Sequence, residues 1–325
     1  MILVTGAAGF IGANLVHALS ARQPFSVFGV DNMSRPEKFH NIVDAEVADF
    51  ADKEDFLVRL KAGEFDGKFS AVLHQGACSN TMETDGRYML SVNYEYSKRL
   101  LGACLGRCPF IYASSAAVYG NGDDGFREEP ECEHALNVYA YSKVLFDRHV
   151  RRVLPWAPTQ VAGLRYFNVY GPQENHKGRM ASVVYKFHHQ IAEHGELQVF
   201  AGSEDFRRDF IFVDDAVDVN LFFLEHPEAR GIFNCGTGRA ESFLALAAAT
   251  AAHYEGCRIV HVPFPESLVG KYQAYTQADL TRLRDAGYAR PFTSLSDGVA
   301  AYVKILKEGG GYHCLLYTSP SPRDS

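Results

Sequence analysis

The chain has 325 residues, 47% of them hydrophobic, which is enough for one large core or two moderate ones. Lys and Arg total 32 against 39 Asp and Glu, a formal charge of -7 with a pI near 6.0, and this acidic balance argues against a nucleic-acid partner. No apolar run approaches the roughly 20 residues that span a bilayer, and the opening MILVTGAAGF reads as a strand rather than a charged leader. The expectation is a cytoplasmic protein with no signal peptide and no membrane contact. Seven scattered cysteines (Cys78, Cys104, Cys108, Cys132, Cys235, Cys257 and Cys314) contain no C-x-x-C, and the thirteen histidines form no H-E-x-x-H. Reduced thiols and no metal are therefore expected.

In chain order, Ile2–Thr5 is a short apolar run followed by Gly6-Ala-Ala-Gly9-Phe-Ile-Gly12 and a helical segment. Strand, glycine turn and helix together are the context in which such a loop binds a dinucleotide. Gly6 allows the tight turn, Gly9 lets the backbone approach a pyrophosphate, and Gly12 permits close helix packing. A second strand ends at Asp31, about 20 residues beyond the glycines, where an adenosine ribose is held. An acid there favours the 2′-hydroxyl of NAD, whereas Arg35, Lys38 and Lys53 follow closely and suit a 2′-phosphate; both cofactors stay open. Ala71–His74 reads as a buried strand ending in Gln75-Gly-Ala-Cys-Ser79, and residues 87–106 as one long helix containing Asn93. The next strand, Pro109–Ser115, ends in paired serines at the crevice where open α/β sheets bind ligands. Gly120–Glu133 is expected to be a solvated surface loop, Asp123, Asp124, Glu128 and Glu129 included.

Leu136-Asn-Val-Tyr139-Ala-Tyr-Ser-Lys143 opens a helix on which Tyr139 and Lys143, four apart, share a face. A nearby cation lowers a phenol's pKa and suits it to exchanging a proton with a substrate alcohol, and Ser115 is placed to hold the same hydroxyl. Beyond it, Val161–Asn168 reads as a strand, residues 180–194 as a helix, Leu197–Phe200 as a strand, Arg208–Asp215 as a strand leading into a helix with acids at its start, and 231–262 as alternating strand, helix and strand. Helices are expected near 277–286 and 295–307. The segment from Gly309 to Ser325 has glycines, prolines and no periodicity; it resembles a translated sequencing adapter and is expected to be a disordered tail.

The glycine run, the Ser115–Tyr139–Lys143 set and the Arg208-Asp-Phe strand together resemble the extended short-chain dehydrogenase/reductase family. Leu136–Lys143, Arg165-Tyr-Phe-Asn-Val-Tyr-Gly-Pro, His176-Lys-Gly, Gly231–Phe243 and Tyr272-Gln-Ala-Tyr-Thr-Gln-Ala-Asp-Leu are similar to the ADP-heptose 6-epimerases within it. The resemblance implies an α/β Rossmann fold, a doubly wound parallel sheet with a smaller interleaved C-terminal lobe. Residues 1–168 would mainly bind cofactor, 169–308 mainly substrate, and 309–325 would be the tail. It implies NADP, with NAD possible, held by Gly6, Gly9, Phe10, Ile11, Gly12, Asp31, Asn32, Lys38, Lys53, Gln75, Gly76, Ala77, Cys78, Ser79, Asn93, Lys143, Val169 and Lys177. It implies an ADP-heptose substrate held by Ser115, Asn168, Arg179, Lys186, Phe200, Ala201, Gly202, Ser203, Arg208 and Tyr272, and a homo-oligomer, pentameric in the family.

The implied reaction inverts C6 of the heptose, a carbon without an acidic proton, through transient oxidation to a ketone. Tyr139 would carry the proton for one substrate orientation and Lys177 for the other, with Lys143 and Ser115 assisting. Read from the residues alone, Lys177 is more readily a mobile surface lysine than a base, and Arg208 a salt-bridge partner of Asp209 or Asp214. Two other readings stay open: a 4-epimerase or dehydratase acting on another nucleotide sugar, and a cofactor-binding regulator without turnover.

Overall fold

The structure, a computed structural model, describes residues 1–265 and 273–313. The first half runs β1 (Ile2–Thr5), α1 (Phe10–Arg22), β2 (Val27–Asp31), β3 (Asp49–Asp52), α2 (Lys53–Lys61), β4 (Ala71–His74), α3 (Gly86–Leu90), α4 (Tyr96–Cys104), β5 (Phe110–Ser115) and α5 (Val138–Val153). It continues through β6 (Val161–Tyr166), β7 (Asn168–Tyr170), α6 (Val183–His194), β8 (Glu196–Phe200), β9 (Arg207–Phe212), α7 (Val213–Glu225), β10 (Gly231–Cys235), β11 (Ala240–Ser242), α8 (Phe243–Ala251), β12 (Arg258–Val262), α9 (Thr281–Asp285) and α10 (Leu295–Gly309).

Seven parallel strands form the main sheet in the order β10-β6-β5-β4-β1-β2-β3, the doubly wound α/β arrangement. Its inner strands β1, β4 and β6 are short apolar runs buried on both faces, as a sheet covered by helices on each side requires. Leu15, Val16 and Leu19 of α1 pack one face with Val217, Leu221 and Phe223 of α7. The other face holds Phe56 and Leu60 of α2, Leu100 and Leu101 of α4, and Phe146 and Val150 of α5. Two small sheets, β11-β9-β7 and β12-β8, lie with α6, α8 and α10 around a third core of Val184, Phe187, Leu246, Val299, Tyr302 and Val303.

Several expected elements differ in outline. The helix read over 87–106 is broken by a π turn at Ser91–Glu95. The strand read over 161–168 is two: β6 stays in the main sheet, and after Phe167 the chain leaves it to pair β7 with β9. The helix read near 277–286 is the short α9, and β3 and α2 carry no strong sequence signal. The expectation of a solvated Gly120–Glu133 loop is corrected in part. Asp123 and Asp124 are exposed, but Glu128 and Glu133 are buried. Glu128 accepts the Asn234 amide at 2.6 Å, and Glu133 pairs with Arg151 at 2.5 Å and with Arg165. Glu133 faces inward because the strand β6 carries a fully buried arginine, Arg165, that needs anions.

Of the segment read as a tail, residues 309–313 are described and lie back on the body. The Gly311 carbonyl accepts the Gln173 amide at 2.8 Å, and the His313 ring contacts Asn14 Oδ1 at 2.7 Å. Residues 314–325 lie outside the described residues.

Candidate active site

The carboxyl ends of β1, β4 and β5 open into a cavity of about 890 Å³, closed on its far side by residues 176–184. Its floor is the glycine turn. Gly6 has φ +67°, and a Cβ there would sit 2.7 Å from the Gly76 amide nitrogen, so β1 and β4 approach this closely only because the position is bare. A Cβ on Gly12 would lie 1.9 Å from the Gly6 carbonyl oxygen. Gly9 is the N-cap of α1, with no side-chain cap and no acid in the first turn, so the first amides of the helix are open to an anion. At the end of β2, Asp31 Oδ2 accepts the Ala8 amide at 2.9 Å, while Oδ1 accepts the Asn32 amide at 2.7 Å and lies 2.5 Å from Lys38 Nζ. Lys53 stands on the same rim beside Glu54 at 3.2 Å, and Arg35 donates to the His176 carbonyl at 2.5 Å. A bare turn, an open helix end and an acid paired with a lysine fit the pyrophosphate and adenosine ribose of a dinucleotide.

Phe10, Ile11, Asn32, Gln75, Gly76, Ala77, Cys78, Ser79 and Val169 line the cavity. Asn93 does not. The π turn points its side chain at the loop after β4, where Oδ1 accepts the Cys78 amide at 2.8 Å and Nδ2 donates to the Cys78 carbonyl at 3.0 Å and to Ser142 Oγ at 3.1 Å. It shapes the cavity wall from behind. Gln75 is fixed in turn by the Tyr166 hydroxyl at 3.1 Å and by Asn220 at 3.0 Å.

Ser115, Tyr139 and Lys143 meet in the middle of the cavity. Asn137 caps α5 by accepting the Ala140 amide at 2.8 Å, which starts the helix one residue before Tyr139. Burial pushes the Tyr139 pKa up, and the nearby Ser115 hydroxyl pulls the other way. Lys143 donates to the Ala113 carbonyl at 2.8 Å, and burial holds it down to about 8, with Asp147 opposing. The expected lowering of the Tyr139 pKa by its cationic neighbour is thus corrected: loss of water dominates, and the Lys143 ammonium is engaged by backbone.

Lys177 lines the same cavity from a different element, a 3₁₀ turn over Asn175–Met180 that bends at Gly178 with φ +53°. It is not a mobile surface group. Its side chain is 17% exposed, its ammonium lies 4.5 Å above the Phe10 ring centroid, and it donates to Glu174 Oε2 at 3.4 Å. The neighbouring His176 ring contacts Asn41 Nδ2 at 3.0 Å, and burial, with Lys38, Lys177 and Arg35 around it, lowers its pKa to about 4.

The substrate residues divide into two groups. Ser115, Asn168 and Arg179 line the cavity. Lys186 is exposed on α6, and Phe200, Ala201, Gly202, Ser203 and Arg208 sit outside the lining, on and after β8 and on β9. Arg208 reaches toward it: its guanidinium donates to the carbonyls of Arg207 and Gln273 and lies 5.6 Å over Phe243, which does line the cavity. Tyr272 lies outside the described residues. Tyr166, Phe210 and Phe243 line the cavity, although the sequence marks them only as members of longer motifs; Glu174, three residues before Lys177, belongs to no motif.

The profile of the NAD dependent epimerase/dehydratase family matches residues 2–236. Among solved structures, the ADP-L-glycero-D-manno-heptose-6-epimerase of Helicobacter pylori superposes with a TM-score of 0.82 at 27% identity, over 94% of this chain and 96% of that one. The UDP-glucose 4-epimerase of Thermotoga maritima, solved with UDP-glucose, gives 0.79 at 27% identity over 94% and 98%. That of Thermus thermophilus, solved with NAD, gives 0.76 at 25% identity over 95% and 99%.

Proposed function

The chain belongs to the NAD dependent epimerase/dehydratase family, and from that premise we propose that it inverts C6 of ADP-D-glycero-D-manno-heptose to give the L-glycero epimer. In this reading it supplies the heptose donor for a lipopolysaccharide core. What supports the reading is that Tyr139 and Lys177, a phenol and an amine, line one cavity from different elements, α5 and the turn after β7. Inversion without an acidic proton needs a proton carrier for each orientation of the substrate, and two such groups on separate walls meet that need.

A nicotinamide dinucleotide, when bound along the glycine turn, supplies reversible hydride acceptance at the carbinol carbon. The protein's own part is positioning and proton transfer. Tyr139 Oη takes the proton of the hydroxyl presented to it, while Ser115 Oγ holds that oxygen. Lys143 anchors the cofactor side of the same wall. Lys177 Nζ exchanges the proton when the sugar presents its other orientation, with Asn168 and Arg179 beside it. We assign NADP rather than NAD: Lys38 neutralises Asp31, and Lys53 and Arg35 add positive charge for a 2′-phosphate. Arg208 and the segment after β8 would hold the nucleotide end.

Proton NMR of ADP-D-glycero-D-manno-heptose with the purified protein tests this. Conversion to the 6-epimer, slowed by about 10²–10⁴-fold in both Tyr139→Phe and Lys177→Met, is expected. A second reading, a UDP-sugar 4-epimerase, draws on the equal 27% identity to the Thermotoga enzyme. Turnover of UDP-glucose with no change in the heptose would establish it in place of the first.

A further inference from the structure

We propose that Glu174 is a positioning residue for Lys177, the group that aims its amine into the cavity; this rests on the two-carrier reading above. Glu174 is completely buried, and a lone carboxylate in that setting needs every oxygen satisfied. Oε2 accepts the Ser182 amide at 2.6 Å and the Lys177 ammonium at 3.4 Å, while Oε1 accepts the Ser182 hydroxyl at 2.5 Å and the Tyr302 hydroxyl at 3.0 Å. The carboxylate therefore ties three elements together. Ser182 caps α6, Tyr302 projects from the middle of α10, and Lys177 faces the substrate space.

Geometry gives the arrangement its purpose. Between Glu174 and Ser182 the chain makes a 3₁₀ turn and a left-handed bend at Gly178, a segment with no sheet partner of its own. A lysine with four rotatable bonds on such a turn would sweep a wide volume. Glu174 on one side and the Phe10 ring on the other reduce that volume to a slot. Because Phe10 is the first residue of α1, the slot fixes the amine relative to the glycine turn itself. Glu133, another buried acid, is matched by Arg151 and Arg165. Glu174 is paired instead with the amine proposed to move a proton.

Glu174→Gln keeps the size and can keep the bonds to Ser182 and Tyr302, but removes the charge beside Lys177; Glu174→Ala removes both. The test follows oxidation of each epimer separately in a single turnover, by the near-ultraviolet absorbance of the reduced nicotinamide. Both variants are expected to slow the epimer that Lys177→Met slows, by up to about a hundredfold, and to spare the epimer that Tyr139→Phe slows. The double variant with Lys177→Met should be no slower than Lys177→Met alone. A second arm needs no turnover: acylation of Lys177 by an amine-reactive ester, mapped by mass spectrometry, should be faster in both variants at unchanged secondary structure. Equal slowing of both epimers, or none, with Lys177→Met still defective, would overturn the positioning role alone. Should the wild-type protein convert neither epimer, the proposed function falls, and unchanged Lys177 acylation would overturn this inference independently.

Discussion

At the centre of the cavity, burial sets the acid–base character of individual residues more than their nearest charges do. Lys143 is held down to about 8 and the Tyr139 hydroxyl is pushed up, because each ionic form has lost water. The same holds for the imidazoles of His74, lowered to about 3, and His176, lowered to about 4, from an ordinary 6.5. Both bind fewer protons folded than unfolded across that range. Their contribution to stability is therefore complete above about 6.5 and drains away as pH falls toward the folded values. Asp214, raised from 3.8 to about 6, has the opposite sign: its contribution is complete below 3.8 and is lost as pH rises through about 6. The melting temperature is expected to fall on acidification from about 6.5 to about 4, and the fall to be shallower in His176→Gln. Parallel curves for the two proteins would show that His176 is not one of the groups responsible.

At the scale of elements, the glycine turn and the π turn do comparable work by different means. Gly12 has no room for a side chain because the Gly6 carbonyl lies where its Cβ would go, 1.9 Å away, whereas the corresponding distance at Gly9 is 3.1 Å. Gly12→Ala must move backbone, and a loss of about 1–3 kcal/mol or more is expected in a urea titration, together with weakened cofactor binding. Gly9→Ala should unfold nearer the wild-type midpoint, and equal losses in the two would show that the close packing of α1 on its own turn is not the constraint. The π turn at Ser91–Glu95 spends one extra residue to bring Asn93 onto the Cys78 backbone, which keeps the loop after β4 in the shape the cavity needs. The helix periodicity of 87–106 hides it, since a single inserted residue leaves the apolar pattern almost intact.

Across the whole molecule, one cavity gathers residues from β1 to α8, so a ligand that fills it links segments more than two hundred residues apart in sequence. Such a ligand stabilises the folded state by mass action, and NADP is expected to raise the melting temperature more than NAD at equal concentration. Lys38→Ala should narrow that difference; an unaltered difference would remove Lys38 from the choice of cofactor. Much of this molecule was legible in the amino-acid sequence. The order strand, glycine turn and helix, the acid at Asp31, the serine ending β5 and the Tyr139–Lys143 spacing are local patterns, and local sterics and periodicity fix what they build. The same locality explains why Glu128 and Glu133 were read as solvated, for their partners Asn234 and Arg165 lie far along the chain. The same holds for Glu174, whose bond to Tyr302 crosses 128 residues. Sequence by itself determined the parallel sheet and the groups that converge on its crevice. Only the tertiary structure decided which charges are buried, which cation each acid meets and how Lys177 is aimed, because desolvation and long-range hydrogen bonds exist only once distant segments have packed together.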